Sequence, residues 1–114
     1  MSDCLFCRII GKEIPSDTVL DTDEIYAFRD INPQAPHHIL LVPKRHIEKL
    51  ADIKESDAQI LGRLLIQATK LAHDLGMDDE GYRIVVNNGE NAGQSVWHLH
   101  VHLLSGRPFR WPPG

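Results

Sequence analysis

A chain of 114 residues is one compact domain's worth, because a second core would leave each half too small. With 42% apolar and 25% charged residues it can bury a core without disulfides, which excludes disordered and collagen-like chains. Twelve Lys and Arg against sixteen Asp and Glu, a net charge of -4 with neutral histidines, argue against a nucleic-acid duplex as partner. Apolar runs such as Ile39 to Val42 fall far short of the roughly 20 residues of a membrane span. No basic start followed by an apolar stretch precedes Cys4, so a reducing cytoplasm is the expected compartment.

From the N-terminus, Leu5, Phe6, Ile9 and Ile10 stand at near-helical spacing, which predicts a short helix ended by Gly11 and Pro15. Thr18 to Leu20 and Ile25 to Arg29 favour β structure, and the polar cluster Asp21 to Glu24 between them predicts a hairpin. Ile31 to Pro36 carries two prolines and is a loop, and His38 to Val42 is a strand stopped at Pro43. A short helix is expected from about His46 to Leu50. The longest helix is expected to start at a Ser56 cap and to bury Ile60, Leu61, Leu64, Leu65, Ala68, Leu71, Ala72 and Leu75 before Gly76. Tyr82 to Val86 and Val96 to Leu104 are the last strands, joined by the Asn- and Gly-rich loop Asn87 to Gly93. The elements add up to an α+β domain, a mainly antiparallel sheet with the long helix on one face.

Seven histidines are the unusual count. In Trp97-His98-Leu99-His100-Val101-His102-Leu103, strand alternation predicts His98, His100 and His102 on one face. One or two such histidines would read as an exposed polar face. Three favour chemistry or metal, because histidine has no propensity advantage that would select it three times. Two imidazoles on one face suit a zinc site. A catalytic reading explains more, because Gly93-Gln94-Ser95 and Asn87 to Gly89 supply a hydroxyl and amides that resemble a phosphate cradle. Cys4 and Cys7 read as thiols or as metal ligands; as ligands they are two of the about four that zinc needs, so histidines would have to complete the set.

His98-Leu99-His100-Val101-His102-Leu103-Leu104 matches the signature of the histidine-triad (HIT) family of nucleotide-binding hydrolases. Asp30-Ile31-Asn32-Pro33-Gln34-Ala35-Pro36, Gly93-Gln94-Ser95-Val96 and Trp111-Pro112-Pro113-Gly114 resemble its Hint branch, so the likeness covers nearly the whole chain. The resemblance implies a HIT-like fold with a five-stranded sheet, one long helix and a short N-terminal helix, and it implies a homodimer. The implied ligands are purine nucleotides: AMP, GMP and adenosine phosphoramidates.

By the same resemblance His100 is the nucleophile on the α-phosphorus, flanked by His98 and His102. His102 and Ser95 would hold the phosphate oxygens, with Gly93 and Gln94 beside them, and would help protonate the departing amine. His38 matches a fourth active-site histidine, Asp30 a ribose ligand and Asn87 a ribose-phosphate contact. Leu5, Phe6, Ile9, Ile14, Phe28 and Ile31 match the walls of a base pocket. Some members of the family that keep the cysteine pair bind structural zinc with it, which implies Cys4, Cys7, His46 and His98 as the ligands here; the implied catalysis needs no metal. The implied activity is an adenosine 5'-monophosphoramidase, also able to cleave acyl-adenylates. Its alternatives are a dinucleoside polyphosphate hydrolase and a non-catalytic nucleotide- or zinc-binding interaction protein. Phe109, Trp111 and three prolines crowd the last seven residues, an apolar tail that calls for a neighbouring subunit to cover it.

Overall fold

The computed structural model describes residues 3–114. Five strands form one antiparallel sheet: β1 (Thr18–Asp21), β2 (Ile25–Arg29), β3 (His37–Pro43), β4 (Tyr82–Val85) and β5 (Val101–Ser105). Their order is β1-β2-β3-β5-β4, with β3 and β5 in the protected middle. The hairpin expected from Asp21 to Glu24 is present, with Asp21 opposite Tyr26 and Leu20 opposite Ala27.

Period-two alternation sorts the side chains to two faces. Ile25, Ala27, Ile39, Leu41, Val101 and Leu103 point toward helix α2 (Ala58–Asp74) and join Leu64, Ala68, Leu71 and Ala72 in the larger core. Tyr26, Phe28, Leu40 and Val42 point the other way and pack on Phe6 and Ile9 of the short helix α1 (Leu5–Ile10). The sheet is therefore covered on both faces, the second by only six helical residues. That partial cover leaves an open cleft beside α1.

Four expectations are corrected. No helix forms at His46 to Leu50; that stretch is extended, and a single 3-10 turn follows at Leu50–Asp52. Its backbone is used elsewhere, since the Ile47 carbonyl accepts the Leu99 N–H at 2.6 Å. The long helix begins at Ala58, after a 3-10 turn at Glu55–Asp57 that contains Ser56. Asp57, not Ser56, fixes that turn, its Oδ2 accepting the Lys54 N–H at 3.0 Å and its Oδ1 paired with Arg45. Leu65 and Leu75 lie on the exposed side of the stripe.

The last strand starts at Val101, not at Val96. Register pairs Leu41 with Val101, so Leu99 would have to face Pro43, which has no N–H for the ladder. The chain bends at residues 96–98 instead. No helix among the described residues is long and apolar enough to cross a membrane.

Leu64 lies fully buried between α2 and the sheet, whereas Leu65 beside it is 39% exposed. Leu64→Ala should cost about 2–5 kcal/mol in urea unfolding and Leu65→Ala less than about 1 kcal/mol. Equal losses would mean that α2 presents a different face to the sheet.

Candidate functional site

The cleft beside α1 holds about 520 Å³. That volume suits a small ligand with an apolar body. One end is walled by Phe6, Ile9, Ile14 and Phe28, and the other by Asp30, His38, Ser95, His100 and His102. Phe6 meets Phe28 edge to face, ring centroids 5.5 Å apart, and stands perpendicular to the His100 ring at 5.1 Å. A flat ring with a charged substituent matches this division into an aromatic end and an imidazole end.

Backbone partners fix the histidine protons. His100 Nδ1 lies 2.7 Å from the His98 carbonyl, which can only accept, so the proton sits on Nδ1 and Nε2 carries a lone pair. The Gln34 N–H donates to His38 Nδ1 at 3.0 Å, which places the His38 proton on Nε2. That proton goes to His102 Nδ1 at 2.9 Å, and the Asp30 carboxylate lies 3.5 Å from the same His38 nitrogen. His102 in turn must carry its proton on Nε2. This nitrogen is buried and has no hydrogen-bond partner among the described residues. The neighbouring elements thus present one free lone pair and one free N–H, on rings 4.9 Å apart.

Burial pushes the pKa values of His38, His98 and His100 below the usual histidine range. His102 is pushed down to about 4, first by burial and then by the adjacent His100 and His38 rings. All four imidazoles are therefore neutral near pH 7.

His98 leaves the shared face that strand alternation predicts for it, because the chain is bent where it stands. It is fully buried, and its Nε2 donates to the Pro43 carbonyl at 2.7 Å, so the Nδ1 lone pair faces outward. Nδ1 lies 3.3 Å from Cys4 Sγ, 3.5 Å from Cys7 Sγ and 3.2 Å from His46 Nδ1; His46 Nδ1 is 3.4 Å from Cys7 Sγ. Metal bonds of about 2.0–2.3 Å put the vertices of a tetrahedron roughly 3.3–3.8 Å apart, and this four-atom set approximates that shape. A convergent lone pair and two sulfurs fit a cation that accepts soft donors. Asp30, His38 and His102 also converge. A metal on His38 Nε2 would need the proton on Nδ1, where the Gln34 N–H already points, so these three form a proton chain instead.

Of the residues read as nucleotide ligands, Leu5, Phe6, Ile9, Ile14, Phe28, Asp30, Ile31, Gly93, Ser95, His100 and His102 line the cleft, and so does His38. Ile31 is 98% exposed and stands at the rim. Asn87 and Gln94 do not line it. The buried Gln94 amide braces the loop instead, accepting from Gly89 N at 2.9 Å and donating to the Glu48 and Val96 carbonyls. Ser16, Gln34 and Val96 are among the wall residues that the sequence reading missed. Gln34 acts through its backbone N–H, and its one sequence signal is its place four residues before His38 in a proline-bounded loop.

The HIT domain family model matches residues 11–109. A 14 kDa zinc-binding protein of Brassica juncea is 51% identical over 114 residues, spanning 98% of this chain and all of that protein. Among solved structures, a HIT family hydrolase from Legionella pneumophila superposes with a TM-score of 0.96 at 48% identity, covering 98% of this chain and 100% of its own. A histidine triad nucleotide-binding protein from Candida albicans gives 0.83 at 37% identity, covering 96% and 83%.

The depressed His102 value has a stability consequence with a definite sign. Between the usual 6.5 and about 4, an unfolded chain binds a proton at this position that the folded protein does not. Stability contributed by neutral His102 is therefore complete above about 6.5 and is lost progressively as pH falls toward 4. The urea midpoint should drop from pH 7 to pH 5, and His102→Asn should flatten that slope. An unchanged slope would refute burial of His102 as its cause.

Proposed function

This chain belongs to the HIT family, and from that premise we propose that it is a purine nucleotide-binding hydrolase that cleaves the P–N bond of adenosine 5'-phosphoramidates. The observation that carries the reading is the His100 imidazole, whose Nδ1 proton is given to the His98 carbonyl so that Nε2 enters the cleft as a lone pair. The relatives described above as a hydrolase and as a nucleotide-binding protein support the same class.

In this reading the purine lies between Phe6, Ile9 and Phe28, and the Asp30 carboxylate accepts the ribose hydroxyls. Asp30 Oδ1 is held by the Asn32 N–H at 2.9 Å, which leaves Oδ2 toward the cleft and His38. His100 Nε2 attacks the α-phosphorus, the P–N bond to the amine breaks, and a nucleotidyl-histidine forms. The His102 Nε2–H and the Ser95 hydroxyl donate to the phosphate oxygens, and the departing amine takes the Ser95 hydroxyl proton, which the water of the second step replaces. Water then attacks phosphorus, the P–N bond to His100 breaks, and AMP is released with Nε2 restored. An acyl-adenylate fits the same steps with a P–O bond broken and a carboxylate as the leaving group, and GMP fits the cleft as the guanine counterpart of the product AMP.

Zinc is the metal proposed for Cys4, Cys7, His46 and His98, supported by their geometry and by the relative named for zinc binding. When bound it would supply a crosslink between α1, the His46 segment and the bend at His98, with no part in the chemistry. A homodimer is proposed as well, supported by Trp111, 83% exposed in a proline-bound tail that a second subunit could cover.

His100→Ala should abolish turnover of an adenosine phosphoramidate yet leave AMP binding within about tenfold, because the base and ribose contacts remain. Retention of a tenth of the activity would sink the nucleophile assignment. A covalent AMP adduct mapped to His100 would separate this route from non-covalent binding, and faster cleavage of a diadenosine polyphosphate than of the phosphoramidate would displace the proposed substrate. Elemental analysis should find about one zinc per chain, lost together with thermal stability in the Cys4→Ser, Cys7→Ser variant. Hydrolysis should survive that loss, since the Pro43 carbonyl and the Leu99–Ile47 bond still hold the His98 segment.

A further inference from the structure

The aromatic end of the cleft carries one hydroxyl among its apolar walls. Ser16 lines the cleft next to Ile14 and Pro15, half-buried, with its Oγ 2.8 Å from the Tyr26 phenol oxygen. Two more groups meet that oxygen: Thr18 Oγ1 at 2.5 Å and Lys12 Nζ at 3.4 Å. Lys12 is brought there by a left-handed backbone (φ 65) just after α1, and it is pinned over the Tyr26 ring at 4.6 Å and by Asp21 at 3.3 Å.

Proton counting at the phenol limits what Ser16 can do. A phenol oxygen has one proton to give and two lone pairs to fill, and an ammonium only donates. With Lys12 on one lone pair, one of the two hydroxyls must donate to Tyr26 and the other must accept from it. If Thr18 accepts, Ser16 donates to Tyr26 and turns lone pairs toward the cleft. If Thr18 donates, Ser16 accepts and turns its proton toward the cleft. The two states differ only by rotation of hydroxyls, so Ser16 can serve as acceptor or donor with little rearrangement.

We infer that Ser16 is a specificity-determining residue that hydrogen-bonds the polar edge of the purine, and that the Lys12–Tyr26–Thr18 relay lets it match a 6-amino or a 6-oxo group. The inference rests on the nucleotide reading of the cleft. The other side chains at this end, Ile9, Ile14 and Phe28, offer no polar atom to a base edge. A site built to pair a polar edge discriminates by whether that pair is made. A hydroxyl that pairs with both edges therefore admits adenine and guanine alike.

Calorimetric binding of AMP, GMP and ribose 5-phosphate to the full chain, without any turnover, tests this. Ser16→Ala should weaken AMP and GMP each by about threefold to tenfold and leave ribose 5-phosphate unchanged, the size of one neutral hydrogen bond. Thr18→Val, on an exposed edge, leaves Ser16 as the acceptor of the Tyr26 proton and so fixes Ser16 as a donor to the cleft. The AMP-to-GMP affinity ratio should then shift toward GMP, a change that a packing role for these residues would not produce. Wild-type binding of both nucleotides with unchanged affinities in Ser16→Ala, or an unchanged ratio in Thr18→Val, overturns the inference alone. Failure of the wild-type chain to bind either nucleotide overturns the nucleotide reading and this inference with it.

Discussion

The hydrogen bond from His100 Nδ1 to the His98 carbonyl joins the two halves of this molecule's chemistry. Two residues apart on a continuous strand, their side chains would share a face and compete for one ligand. The bend at residues 96–98 turns the His98 ring into the sulfur cluster and leaves its carbonyl toward His100. One residue thus contributes its side chain to a candidate metal centre and its backbone to orienting a neighbouring imidazole. The bend depends on Pro43, which lacks the N–H the ladder would need and offers its carbonyl to His98 Nε2 instead.

Backbone groups also set the second half of the site. A side-chain donor can rotate or ionise, but the Gln34 N–H can do neither, so the His38 tautomer and, through it, that of His102 are fixed by the path of the loop. That path is held in turn at Pro36. Gly106 approaches it so closely that a Cβ there would come within 2.7 Å of the Pro36 ring, and its backbone stands at φ +99. A glycine after β5 is therefore required for the loop to reach His38.

Much of this was legible because period alone carries it. The burial of Leu64, Ala68, Leu71 and Ala72 follows from 3.6-residue spacing, and the two faces of β2 and β3 follow from alternation. The same rule failed at His98, where alternation was extended past the end of the ladder; the signal that could have stopped it was Pro43, whose effect appears only once register is known. His46 to Leu50 has helix-compatible residues but spends its backbone on Leu99, a partner far away in sequence. Gln94 stands in a loop with the composition of a phosphate cradle, yet its amide is consumed inside that loop. Ser16 gave no pattern at all, because its partners Lys12, Thr18 and Tyr26 meet only after β1 folds back on β2.

Dryness sets the balance between reactivity and stability. Packing Phe6 against His100 and closing the sheet under His38 and His102 removes water from three imidazoles and shifts each toward its neutral form, His102 as far as about 4. A neutral ring is what the proposed nitrogen nucleophile and its proposed N–H donor require near neutral pH. The cost falls below about 6.5, where the unfolded chain takes up protons that the cleft refuses. A ligand that brings negative charge to the unpaired His102 Nε2 reverses part of that balance, since it supplies the acceptor this buried donor lacks. Anion binding and resistance to acid are therefore coupled through the same ring.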